Sequence, residues 1–281
     1  MTAPGVRRIE SHHRVADGTH LFRRAWLPDV PHHAVVLVHG FGEHSGRYDE
    51  TATAFAEAGY AVEAFDLRGH GRSEGVRCHV SAFDEYLDDL DHVLARARED
   101  HAGIPLHLLG HSMGGLITLL HLIERAPAIV SAVVTGPPLA VAPRSGPKLL
   151  FGRVVRRFFP TFSMPMGLPL EGLSRDPDVV QRYADDPLVE GNVTAALGAE
   201  LALAVARAAA QPGGVRVPLL ALHGEVDPIC PAEATRAFMA GVGSTGSRYL
   251  GFAGLRHEIL NEPERDEVRA EILRWWKELS E

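Results

Sequence analysis

What this 281-residue chain has little of narrows its chemistry before any motif is read. It holds two cysteines, Cys78 and Cys230, too few for a disulfide framework and without the paired spacing of a metal site. That usage suits a reducing compartment, so a cytoplasmic protein is expected. Lysine occurs only at positions 148 and 277, and arginine carries nearly all of the positive charge. The formal net charge of −8 leaves no basic face for nucleic acid. Residues 1–8 contain no apolar export segment. The most apolar later stretch, Ala195 to Ala210, is broken by Glu200 and Arg207 and is too short to span a bilayer. Internal repeats, His-Glu-x-x-His spacing, glycosidase-type carboxylate pairs and phosphate-cradling glycine loops are all missing. No metal is expected.

What is present is an alternation of strands and helices. Residues 7–14 and 19–26 alternate around Ala16-Asp17-Gly18 and predict an N-terminal β-hairpin. Ala34-Val35-Val36-Leu37-Val38 is a continuous apolar run, the mark of a strand buried on both faces. A helical stretch over 48–58 ends at Gly59, a second buried strand runs from Tyr60 to Phe65, and Phe83, Leu87, Leu90 and Leu94 recur at helical spacing within 82–101. Further strands are predicted at 105–109, 130–134, 218–222 and 248–250. Strands alternating with helices imply a mostly parallel sheet covered on both sides, with chemistry at the carboxyl ends of its strands. Residues 140–192 differ in texture. They are Pro-rich, and Leu149, Leu150, Phe151, Val154, Val155, Phe158 and Phe159 make one oily face flanked by Arg153, Arg156 and Arg157. The expectation is a core of 1–139 and 193–281 with a cap, or lid, inserted at 140–192. An oily cap with basic edges suits peripheral contact with a lipid surface.

Gly110-His111-Ser112-Met113-Gly114 follows the apolar run Pro105 to Leu109 and opens the next helix. This strand–turn–helix context lifts a serine oxygen clear of the sheet edge and aims a helix N-terminus at it. A serine hydroxyl needs a histidine to take its proton and a carboxylate to fix that histidine. On this architecture the chain order is serine, acid, histidine. Asp227, past the strand 218–222, and His257, past the strand 248–250, stand at successive strand ends in that order. Glu225 is the rival acid. The tetrahedral intermediate needs two amide donors, for which the candidates are Met113 and Phe41, the latter between Gly40 and Gly42. His39, His70 and His111 sit in strand-end turns and are expected to be structural, as is Asp66 in its own turn.

Here the chain becomes similar to a known family. His39-Gly40-Phe41-Gly42-Glu43-His44-Ser45-Gly46-Arg47-Tyr48, the turn from Asp66 to Ser73, Gly110 to Gly115, Leu222-His223-Gly224 with Asp227, and His257 with Asn261-Glu262-Pro263-Glu264 resemble the monoacylglycerol lipases of the α/β-hydrolase superfamily. Ser174-Arg175-Asp176-Pro177 and Asp186-Pro187-Leu188 resemble its bacterial members. The resemblance implies an α/β-hydrolase fold with an eight-stranded sheet and a mobile hydrophobic cap, and an esterase without a cofactor that cleaves monoacylglycerols. By position it implies Ser112 as nucleophile, Asp227 as acid, His257 as base, and Phe41 and Met113 as the oxyanion amides. Glu43 and Arg47 match a polar motif near the glycerol product. A broader carboxylesterase or lysophospholipase shares the same triad, and a non-catalytic lipid-binding member would have lost part of it. The oligomeric state is not legible.

Overall fold

The computed structural model describes residues 5–140 and 157–280. The expected oily positions Leu149, Leu150, Phe151, Val154 and Val155, with Arg153 and Arg156, lie outside the described residues. The chain begins with the antiparallel hairpin of β1 (Val6–Arg14) and β2 (His20–Pro28). It continues through β3 (His33–Val38), α1 (Asp49–Glu57), β4 (Tyr60–Phe65), α2 (Asp84–Asp100), β5 (Leu106–His111), α3 (Met113–Glu124) and β6 (Ser131–Thr135). Between β6 and the next core strand lie a short antiparallel pair, β7 (Ser163–Pro165) and β8 (Asn192–Thr194), the helix α4 (Pro177–Asp185) between them, and α5 (Ala195–Ala209) after them. Then come β9 (Leu219–Gly224), α6 (Ala232–Met239), β10 (Arg248–Phe252) and α7 (Arg265–Glu278).

Among the described residues the main sheet has eight strands in the order β1-β2-β4-β3-β5-β6-β9-β10. From β4 to β10 every pairing is parallel, while β1 with β2 and β2 with β4 are antiparallel. This is the mostly parallel eight-stranded sheet expected of the α/β-hydrolase fold. Alternation along β3 shows how both faces are filled. Ala34, Val36 and Val38 join Leu87 and Leu90 of α2, Leu116 of α3 and Leu197 of α5. Val35 and Leu37 face the other way, toward Phe55 of α1 and Ile272 and Trp276 of α7. Because β3 lies between β4 and β5, strand order reverses beside it. The loops leaving β3 and β5 therefore part to opposite faces and open a crevice.

Local chemistry sets the helix ends. Pro177 begins α4, where its missing N–H costs nothing, and the Asp176 side chain accepts from the Asp178 amide. The Thr194 hydroxyl accepts from the Leu197 amide at the start of α5. Among the described residues no helix is long and apolar enough to cross a membrane. Trp276 is fully buried, stacks on Tyr60 at 5.0 Å and meets Phe55 edge-on at 5.2 Å. Trp276→Ala is expected to cost about 3–5 kcal/mol of stability, read as a lower urea midpoint; an unchanged midpoint would contradict this packing.

Candidate active site

Ser112 occupies the junction of β5 and α3 at φ 50° and ψ −120°. A non-glycine residue in this region carries backbone strain. Close packing imposes it. A Cβ on Gly114 would stand 2.2 Å from the Val38 carbonyl oxygen, and one on Gly110 would stand 2.4 Å from the Gly114 carbonyl oxygen. The first turn of α3 therefore lies directly on the end of β3, with no room to relax the turn. The Ser112 amide donates to the Thr135 carbonyl at 2.8 Å, which pins the turn to β6.

The loops after β9 and β10 bring two partners to this serine. Ser112 Oγ donates to His257 Nε2 at 2.9 Å, and His257 Nδ1 donates to Asp227 Oδ2 at 2.7 Å. Asp227 Oδ1 accepts the Ile229 and Cys230 amides at 2.8 and 2.9 Å. His223, at the end of β9, directs Nε2 at both Asp227 Oδ2 and the Cys230 carbonyl, 3.1 and 2.8 Å away. Burial by itself would raise the Asp227 carboxyl, but these donors, His223 and His257 foremost, hold it far below the ordinary carboxylate range. Glu225 turns away, to Arg236 at 2.8 Å and Tyr249 at 3.0 Å. Cys78 and Cys230 are both free and buried.

The expected structural residues are each engaged. His39 Nε2 accepts the Leu67 amide and His70 Nδ1 donates to the Arg68 carbonyl. His111 Nδ1 bonds the Thr135 hydroxyl, and its ring lies 4.9 Å from that of His257. Burial, then the neighbouring His257, push His111 down to about 4. Asp66 accepts from Ser45 through one oxygen and from the Arg72 amide through the other, so it ties its turn to the loop after β3.

That loop carries Phe41, which lines the same cavity as Met113, Ser112 and His257. A Cβ on Gly40 would stand 3.2 Å from Ser112 Cβ, so the backbone runs beside the serine. Met113 opens α3, and its amide has no earlier helical carbonyl to serve. Glu43 is buried below this loop. Its Oε1 accepts the Gly40 amide and the Tyr48 hydroxyl, each at 2.6 Å, and its Oε2 accepts Arg47 at 2.6 Å. Arg47 also makes a two-pronged pair with Glu258, at 2.7 Å on each oxygen, and lies 4.6 Å over the Tyr183 ring. Burial opposes the charge on Glu43, yet the Arg47 guanidinium outweighs it and brings the carboxyl to about 2. The same balance lowers Glu258. Sequence reading missed Glu258, Tyr183 and the bonding role of His223. The available signals were an acid directly after His257 and a histidine at the very end of β9.

Met166, Leu168, Leu173 and Tyr183, from the segment between β6 and α5, join Leu201 and Ile229 around a cavity of about 160 Å3 over Ser112. The segment is bonded to both loops beneath it. The Glu190 amide donates to the Gly42 carbonyl at 2.7 Å, and His44 Nε2 donates to Asp186 at 2.9 Å. The Glu258 amide donates to the Leu173 carbonyl at 2.8 Å, and fully buried Glu262 accepts the Arg175 and Arg256 amides at 2.9 and 2.7 Å.

The family described as serine aminopeptidase, S33, matches residues 29–264. The monoacylglycerol lipase of Mycolicibacterium smegmatis is 35% identical over 92% of this chain and 93% of its own. The human monoglyceride lipase is 34% identical over 92% of this chain and 88% of its own. The crystal structure of Paleococcus ferrophilus monoacylglycerol lipase superposes with a TM-score of 0.83 at 33% identity, covering 92% of this chain and 99% of that one.

Three of the buried carboxylates predict the response to acid. Asp227, Glu43 and Glu258 all titrate lower when folded than when unfolded, so the stability they add is complete above the ordinary carboxyl value. It drains as pH falls from about 4.5 toward about 2. Melting temperature should drop steeply through that window, and less steeply in Glu43→Gln. An acid slope unaltered by that substitution would mean that Glu43 is not ionised in the folded chain.

Proposed function

The chain belongs to the serine aminopeptidase S33 family, and from that premise we propose that it hydrolyses the ester bond of monoacylglycerols through an acyl-enzyme on Ser112. The carrying observation is the unbroken relay from Ser112 Oγ through His257 to Asp227, at 2.9 and 2.7 Å, beneath an oily cavity. In this reading His257 Nε2 takes the serine proton as Oγ attacks the ester carbonyl. Asp227 fixes the tautomer through Nδ1 and steadies the imidazolium. The amides of Phe41 and Met113, helped by the α3 dipole, receive the oxyanion. The imidazolium then protonates the departing glycerol oxygen, and water repeats the sequence on the acyl-enzyme.

The cavity wall matches a molecule with one oily and one hydroxylic end. Met166, Leu168 and Leu201 suit an acyl chain, while the Glu43 and Glu258 carboxylates suit hydroxyl donors. Arg47 acts here by holding those carboxylates. The names of the relatives above support the same substrate class. We assign 1–139 and 193–281 to the hydrolase core and 140–192 to its cap. Exposed Phe158, Phe159 and Phe162, with Arg157 beside them, suit the cap to a lipid surface from which such a substrate is drawn, and a cytoplasmic enzyme touching membranes peripherally is the matching location.

Ser112→Ala should lose on the order of 10⁶ in kcat and Asp227→Asn about 10⁴, measured as fatty acid released from a monoacylglycerol. Retention of most hydrolysis by Ser112→Ala would remove the mechanism. Side by side, monoacylglycerol should turn over faster than lysophospholipid or short p-nitrophenyl esters; the reverse order would move the assignment to a lysophospholipase or general carboxylesterase.

A further inference from the structure

We propose that Glu258 is a positioning residue that locks the loop of the base to the loop of the oxyanion amide, an inference that rests on the ester-hydrolase reading above. It follows His257 directly in the chain, and its own amide is held by the Leu173 carbonyl at 2.8 Å. Its carboxylate crosses to Arg47, two parallel bonds at 2.7 Å, across 211 positions of sequence. Arg47 Nη1 is shared with Glu43 Oε2 at 2.6 Å, and Glu43 Oε1 takes the Gly40 amide at 2.6 Å. Gly40 is joined by a peptide bond to Phe41. An unbroken run of charge-assisted bonds thus leads from the residue beside the general base to the residue beside the oxyanion donor. Such bonds are short and directional, and a bidentate guanidinium pair resists both sliding and rotation.

The charges argue that the third member is more than structural. One carboxylate would neutralise buried Arg47, and Glu43 already does so while holding Gly40. Glu258 adds a second buried carboxylate and leaves the trio with one net negative charge, in the wall that faces His257. Burying an extra charge is costly, so its placement between the two catalytic loops calls for a role there. The other groups facing the imidazole are Asp227 at Nδ1, Ser112 at Nε2, the His111 ring at 4.9 Å and the Cys230 thiol in the same cavity wall. His223 stands behind Asp227, and the Arg256 guanidinium turns away to the Glu171 and Ser174 carbonyls. Neutralising Glu258 therefore removes one of the two buried carboxylates that Arg47 holds between the loop of His257 and the loop of Phe41.

The test uses the full chain with a p-nitrophenyl ester, comparing wild type, Glu258→Gln, Arg47→Met and the double variant, with melting temperature as the folding control. Glu258→Gln should lose about 10- to 100-fold in kcat while KM changes less than about 3-fold. The double variant should be no worse than the poorer single one, because the link breaks only once. Wild-type kcat in Glu258→Gln would overturn the proposal, as would fully additive losses or a kcat loss that tracks the unfolded fraction. Should Glu258→Gln not fold, Arg47→Lys keeps the charge but cannot grip both carboxylates. A kcat loss at near-constant KM in that folded variant supports the lock, and wild-type kcat refutes it. A wild-type chain inert toward all esters sinks both this proposal and the reading beneath it, whereas an active wild type with an unaffected Glu258→Gln sinks this proposal alone.

Discussion

The contact of helix α3 with the end of β3 is the constraint on which the site depends. With the Cβ-less Gly114 pressed toward the Val38 carbonyl, the chain must pass from strand to helix in a single residue. That residue is Ser112, held at positive φ. The strain costs about 1–3 kcal/mol and is sustained by a sheet whose central strands are buried on both faces. It returns a hydroxyl that projects toward the crevice at the point where strand order reverses. The loops after β9 and β10 then need only end at the same edge of the sheet for Asp227 and His257 to reach it.

The polar groups around this edge are not spread evenly. Buried carboxylates stand where separate loops and segments meet. Asp66 joins two loops of the core, Glu43 braces the backbone at Gly40, Glu258 reaches Arg47, and Glu262 receives amides from both the segment above the cavity and the loop of His257. Each accepts from main-chain amides or from arginine, so each carboxylate meets its donors where it lies. The segment from Gly172 to Glu190 is tied in this way to the loop after β3 and to the loop of His257. Apolar side chains from the same segment fill the upper cavity wall. Its rear is polar and bonded, its front oily.

Much of this was legible in the sequence because burial on both faces writes itself as uninterrupted apolar runs. The runs for β3 and β4 match the strands, and Gly59 ends the turn between α1 and β4 as expected. The run read at 105–109 stops short of the observed end of β5, because Gly110 and His111 pair with Val134 and Thr135 although neither is an aliphatic residue. Likewise β10 extends past Leu250 because Gly251 and Phe252 continue the ladder with His223 and Gly224. Hydrogen bonding, not hydropathy, sets those ends. Asp227 was separable from Glu225 only by the loop's turn, which swings Glu225 to Arg236. The role of Glu258 was not legible for a different reason. Its partner Arg47 lies in a distant turn, and nothing in local periodicity records a bond between residues so far apart.

The account stands or falls on whether ester cleavage passes through a covalent species on one particular oxygen. Rapid quenching of the wild-type chain in acid during turnover of an activated ester, followed by peptide mass spectrometry, would show it directly. The prediction is a burst of one acyl group per chain, on the peptide containing Ser112 and on its hydroxyl. Hydrolysis with no covalent intermediate, or with the acyl group on any other residue, would contradict the account.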